Sequence, residues 1–197
     1  MRPAKVYYII MKTDANGTAS IAVTNDILEH WNYTIKEIDK LAARNTPILL
    51  PPTIRTMKEV FYEMYRSQAN DNGKYTSVER DLFELLFQED RNQNQSTEAD
   101  EIKMYILSNN SNLNGTSALL YPNVLHDFAV SHQSNLYILP SSIHEVILIP
   151  ENRELSKEYL CQMVVDVNQT QVPIEEVLSN EVYYYDYQTK ELSIAKD

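Results

Sequence analysis

A chain of 197 residues, 43% of them apolar, can bury a sizeable core, which argues against disorder over most of its length. Its formal charge of −11, uninterrupted by any Lys/Arg-rich run, argues against nucleic acid and anionic membranes as partners, because affinity for phosphate rests on cationic neutralisation. A lone cysteine, Cys161, excludes an internal disulfide, and the apolar run Val6 to Met11 is too short for a signal or membrane-spanning segment, so a cytoplasmic location is expected.

In chain order, Val6 to Met11 and Thr18 to Val23 read as two strands, joined by turn residues Asp14-Ala15-Asn16-Gly17. Asn25-Asp26 can cap a short helix over Ile27 to Trp31. Thr34 with Glu37 forms a capping box for a helix reaching Arg44, with Ile35, Ile38, Leu41 and Ala42 on one face and Asn45-Thr46-Pro47 as its stop. Pro47 to Pro52 should then be extended. Thr56 caps a helix from Met57 to about Gln68. A further helix over Val78 to Gln88 presents Leu82, Phe83, Leu85, Leu86 and Phe87. The polar stretch that follows, with no aliphatic residue larger than Ala99, divides the chain into a first sub-domain (1–88), a linker (89–101) and a second sub-domain (102–197).

The second half starts with a strand over Ile102 to Leu107, an Asn-rich turn from Asn109 to Gly115 and a strand over Thr116 to Tyr121. A helix over Asn123 to His132, introduced by Pro122, carries Val124, Leu125, Phe128 and Ala129 inward. Leu136 to Leu139 and Val146 to Ile149 then form a hairpin bounded by Pro140 and Pro150. Its near-continuous apolar strands imply that both faces are covered. A helix from about Leu155 to Val167, a short helix opened by Pro173 and a hairpin of Val182 to Tyr185 with Leu192 to Ile194 complete the chain. The expected fold class is α+β: antiparallel hairpins packed with amphipathic helices. Asn16-Gly17-Thr18 aligns with Asn114-Gly115-Thr116, each between predicted strands, so the two sub-domains read as an internal repeat.

The run Leu139-Pro140-Ser141-Ser142-Ile143-His144-Glu145-Val146-Ile147-Leu148, with Met104 to Asn109, Asn114-Gly115-Thr116 and Asn168-Gln169-Thr170 to Ser179, resembles a domain-of-unknown-function family of gut-dwelling Gram-positive anaerobes. Thr24-Asn25, Trp31, Asn45-Thr46-Pro47 and Pro51 extend the resemblance to the first half. The resemblance implies no activity. It does imply that members generally carry an additional amino-terminal segment, which is not expected within this chain.

Chemistry-bearing residues concentrate at the hairpin tip. Ser141, Ser142, His144 and Glu145 are the residue types of a hydrolase, with either serine as nucleophile and His144 as base. Against that reading, His144 and Glu145 would face opposite sides of a strand, and three glycines leave no material for an oxyanion loop or a phosphate cradle. His126, His132 and His144, with Asp127 or Glu145, lack zinc-ligand spacing, so no metal and no cofactor is expected. The polar turn at Asn109, Asn112 and Asn114 and the tyrosines Tyr183 and Tyr185 are candidate ligand or partner surfaces. The leading expectation is a non-enzymatic binding module for a protein or a small polar ligand, with a hydrolase centred on Pro140 to Glu145 as the alternative.

Overall fold

The structure, a computed structural model, describes residues 4–14, 17–69, 103–152, 155–170 and 172–195. Its elements are β1 (Tyr8–Asp14), β2 (Gly17–Ala22), α1 (Asn25–Trp31), α2 (Ile35–Leu49), β3 (Pro52–Thr56), α3 (Met57–Ala69) and β4 (Tyr105–Asn109). After a 3₁₀ helix (Gly115–Leu120) come α4 (Val124–His132), β5 (Leu136–Leu139), β6 (Val146–Pro150), α5 (Lys157–Thr170), β7 (Tyr183–Asp186) and β8 (Glu191–Ile194). β1 and β2 pair with each other. The remaining described strands form a sheet in the order β3-β4-β6-β5-β7-β8, antiparallel at every step, so the fold is α+β.

Alternation along the strands sorts the apolar residues onto two faces, and each face has its own helical cover. Leu107, Leu136, Ile138, Val146, Leu148 and Tyr185 pack under the 3₁₀ helix and α4 through Ala118, Leu125, Phe128 and Ala129. The opposite face presents Leu139, Ile149 and Val182 to Leu160 and Val164 of α5. This double cover is why β5 and β6 read as near-continuous apolar runs, as expected of the hairpin.

The expected helix over Val78 to Gln88 and the linker 89–101 lie outside the described residues. On either side of them the ladder runs from one expected sub-domain to the other: β3 pairs with β4 from Pro52↔Asn109 to Thr56↔Tyr105. β3 was not anticipated, because it sits between two prolines and a helix cap. Pro52 stands at its first position, on the sheet edge, where a missing N–H is tolerated.

Local chemistry accounts for most helix starts. Thr34 accepts from the Glu37 amide while the Glu37 carboxylate accepts from the Thr34 amide at 2.8 Å, completing the expected box. Thr56 and Glu59 repeat the device at α3. Thr24, rather than Asn25, caps α1.

Three expected elements are corrected. α2 does not stop at Pro47 but continues to Leu49, so Pro47 to Leu50 is not extended; the proline falls in the last turn, where the Leu50 amide still reaches the Thr46 carbonyl at 2.8 Å. The expected strand Thr116 to Tyr121 is a 3₁₀ helix, because Asn114 adopts a left-handed φ of 49° and Thr116 is drawn onto the hairpin tip instead of closing a ladder. Gly17 and Thr18, by contrast, belong to β2, so the two aligned triplets reach different structures. The expected helix after Pro173 is a single turn, closed by the Glu176 amide on the Pro173 carbonyl.

Candidate functional site

The tip joins β5 to β6, so its backbone enters and leaves a doubly covered sheet and must satisfy its polar groups at short range. The Ser142 amide donates to the Glu145 carbonyl at 3.1 Å, and the Ser142 hydroxyl accepts from the His144 amide at 3.0 Å, closing the turn on itself. Thr116 then clamps it from the 3₁₀ helix: its hydroxyl donates to the Ser142 carbonyl at 2.7 Å and its amide to the Ile143 carbonyl at 3.4 Å. Ser108, at the end of β4, donates to the His144 carbonyl at 2.8 Å. From the segment before β7, Glu176 accepts the Ile143 amide on its carbonyl at 2.9 Å.

The His144 ring is also tied to the neighbouring turn. Its Nδ1 accepts the Asn114 amide at 3.2 Å, which leaves the proton of the neutral ring on Nε2, 3.7 Å from the Glu176 carboxylate. A general base must turn its unprotonated nitrogen toward a nucleophile. Here that nitrogen is taken by a backbone amide, and Ser142 is 9% exposed with its hydroxyl facing the same turn. Glu145 supplies only its carbonyl to these bonds.

The neighbouring asparagine turn is equally self-contained. Asn109 is fully buried: its amide group donates to the Leu113 carbonyl at 2.9 Å, and its oxygen accepts from the Ser111 amide and hydroxyl. Asn109 is therefore corrected from ligand surface to turn core, while Asn112 and Asn114 stay exposed, both with left-handed backbone. Gly115 follows. A Cβ there would overlap the Ser108 hydroxyl and the His144 carbonyl, so only glycine lets the turn approach the tip this closely.

The model of a family of unknown function, DUF5688, matches residues 4–187. The chain belongs to this family. No curated protein and no solved structure matches it.

Within this DUF5688 chain the tyrosines correct a further expectation. Tyr183 and Tyr185 pair with Ile138 and Leu136, so they share the parity of the core. Tyr185 is buried, and Tyr183 packs beside it with its hydroxyl donating to Ser179 at 3.1 Å. The tyrosine of opposite parity is Tyr184, packed edge-on against Tyr137 and donating to Glu151 at 3.0 Å. Burial first, and then that carboxylate, raise its pKa to about 12.

A second buried polar cluster escaped the sequence reading. Asn168, at the end of α5, donates to the Ser179 carbonyl at 2.9 Å and to the Asn180 side chain at 2.8 Å, fixing the return toward β7. Its side-chain oxygen has no hydrogen-bond partner. The histidines are dispersed. His132 Nδ1 donates to the Phe128 carbonyl at 2.9 Å and its Nε2 accepts from Tyr105 at 3.0 Å, whereas His126 has a buried, unpartnered Nδ1. Among the described residues no group of three or more His, Cys, Asp and Glu is placed to hold a metal ion.

Thr116, Ser108, Gly115 and Glu176 complete the tip, and although the Asn-Gly-Thr triplet marks Gly115 and Thr116, the sequence assigns none of the four to the tip. Gly115 carries the more physical signal, since a glycine after asparagine marks an unusual backbone.

Proposed function

We propose that the chain is a non-enzymatic, cytoplasmic protein-binding module whose contact surface is the apolar face around α2. The observation that carries the reading is that α2, an amphipathic helix of fifteen residues, has no buried side chain. Ile35 is exposed along it, and Ile48 and Leu49 at its end are 75% and 65% exposed. Tyr8, Met11 and Ile21 of the β1–β2 hairpin and Trp31 of α1 are exposed as well. Tyr8 and Ile21 fall on opposite faces of the hairpin, so it is the number of large exposed apolar side chains in this stretch that favours an interaction surface.

Charge supports a partner of acidic character. Residues 1–69 hold nine Lys and Arg against seven Asp and Glu, while residues 70–197 hold eight against twenty-one. The least acidic part of the chain thus carries the exposed apolar face. The hydrogen bonds that occupy the Ser142 hydroxyl and His144 Nδ1 within the tip favour this reading over a hydrolase with Ser142 as nucleophile, while Ser141 is half-buried beside them.

A photo-crosslinking residue at Ile48 tests this. It should capture a protein, and the double variant Ile48→Lys/Leu49→Lys should bind less of that protein while keeping the parent's melting temperature. A fall in melting temperature with no captured partner would mean that the face is covered within the chain, and would overturn the reading.

A further inference from the structure

The six-stranded sheet ends in two edges, and the ladder registers show which backbone groups each edge offers. At β3 the bond from the Met57 amide to the Met104 carbonyl fixes the alternation, so Pro52, Ile54 and Thr56 turn their backbones outward. Pro52 has no N–H to offer, and the Thr56 N–H is taken by the Glu59 carboxylate at 2.8 Å. Among the groups described for this edge, the Ile54 N–H remains. This edge is blunted in the way natural sheets resist edge-to-edge pairing.

At β8 the corresponding bond runs from the Ala195 amide to the Val182 carbonyl. Glu191 and Ser193 therefore face β7, and Leu192 and Ile194 turn both N–H and C=O outward. Neither is a proline or part of a bulge, and among the described residues no side chain caps either. Leu192 is 45% exposed, directly beside the buried Tyr185, and its partnering on the outer side would extend the core face across the edge.

We propose that β8 is a homodimerisation edge, pairing antiparallel with the β8 of a second copy about a two-fold axis at Ser193. That register sets the two outward positions against each other, Leu192 against Ile194 of the partner and the reverse, so each pair exchanges two backbone hydrogen bonds. Ser193 meets its own copy, a small pair that fits the close spacing of a non-hydrogen-bonded position. Glu191 meets Ala195, which avoids opposing the carboxylates. The apolar pairs fall on the face that carries Tyr183 and Tyr185, continuing one core into the other. Self-complementarity of backbone, size and charge favours a second copy over an unrelated extended peptide.

Sedimentation of the full chain up to about 1 mM, the weak end of specific association, tests the proposal. The expected result is a concentration-dependent shift from one to two chain masses. Ile194→Pro removes one outward N–H from each copy without touching the β7 ladder, and should abolish the shift with the melting temperature retained. Should Ile194→Pro fail to fold, Leu192→Lys serves instead, because it sets a charge against Ile194 of the partner and leaves the backbone intact. A wild-type chain that stays monomeric overturns the proposal. So does a dimer that survives these variants, or one that dissociates only in Ile48→Lys/Leu49→Lys.

Discussion

The sheet from β4 to β7 and the stretch from β1 to α2 are both patterned with apolar residues and dispose of them in opposite ways. In the sheet Leu107, Leu136 and Leu148 are fully buried, and Leu160 of the covering helix with them. Among the side chains described for residues 4–63, Leu28 alone is buried. Period fixes the kind of element, whereas burial requires a second layer. β5 and β6 lie between α4 and α5, while α2 is tied to the segment that leads into β1 through Asp39, which accepts from Tyr7 at 2.6 Å and Lys5 at 3.0 Å.

The sharpest way to break the comparison is to make one truncation on each side. Leu148→Ala should cost about 2–5 kcal/mol by leaving a cavity in a closed core. Ile48→Ala, at an exposed position, should stay within about 0.5 kcal/mol of the parent. Urea unfolding midpoints read both, and similar losses would show that the two regions are buried alike. Next in size, Gly115→Ala should destabilise by about 1–3 kcal/mol, since its methyl group meets the Ser108 hydroxyl and the His144 carbonyl inside the tip. In the exposed region, Thr34→Ala should cost about 1 kcal/mol through the lost cap and show as reduced helicity.

The smallest effect contrasts two tyrosines. Tyr7 and Tyr184 are each raised to about 12, the first mainly by its hydrogen bond to Asp39, the second mainly by burial. Asp39→Asn should therefore return Tyr7 toward the ordinary tyrosine range near 10, whereas Glu151→Gln should leave Tyr184 raised, as phenolate absorbance would record. Both groups keep their proton in the folded chain after the unfolded chain has lost it. Their contribution makes stability fall as pH rises from about 10 to about 12.

What could be read from the sequence follows the same physical division. The β5–β6 hairpin, the capping box at Thr34 and α5 were legible because each rests on local chemistry or on a continuous pattern. β3 was not, since a five-residue edge strand is defined by its neighbour β4. The 3₁₀ helix was missed because Thr116 bonds to a tip twenty-six residues away. At the candidate site the residue types were found and their roles were not. The tip drew attention as Ser142, His144 and Glu145, yet its closure depends on Ser108, Thr116 and Glu176, which tertiary structure alone brings there. Similarly, the tyrosine run showed alternation but not its phase, which Leu136 and Ile138 set from the adjoining strand.

The tip is held as a closed structural joint of the sheet, whereas β1, β2 and α2 are, among the described residues, the stretch with little burial. Native-state hydrogen exchange tests it residue by residue. The account predicts that the Ser142, Ile143 and His144 amides exchange as slowly as those of β5 and β6, and that α2 and the β1–β2 hairpin exchange far faster. Rapid exchange at the tip, or protection of α2 equal to that of the sheet, would contradict it.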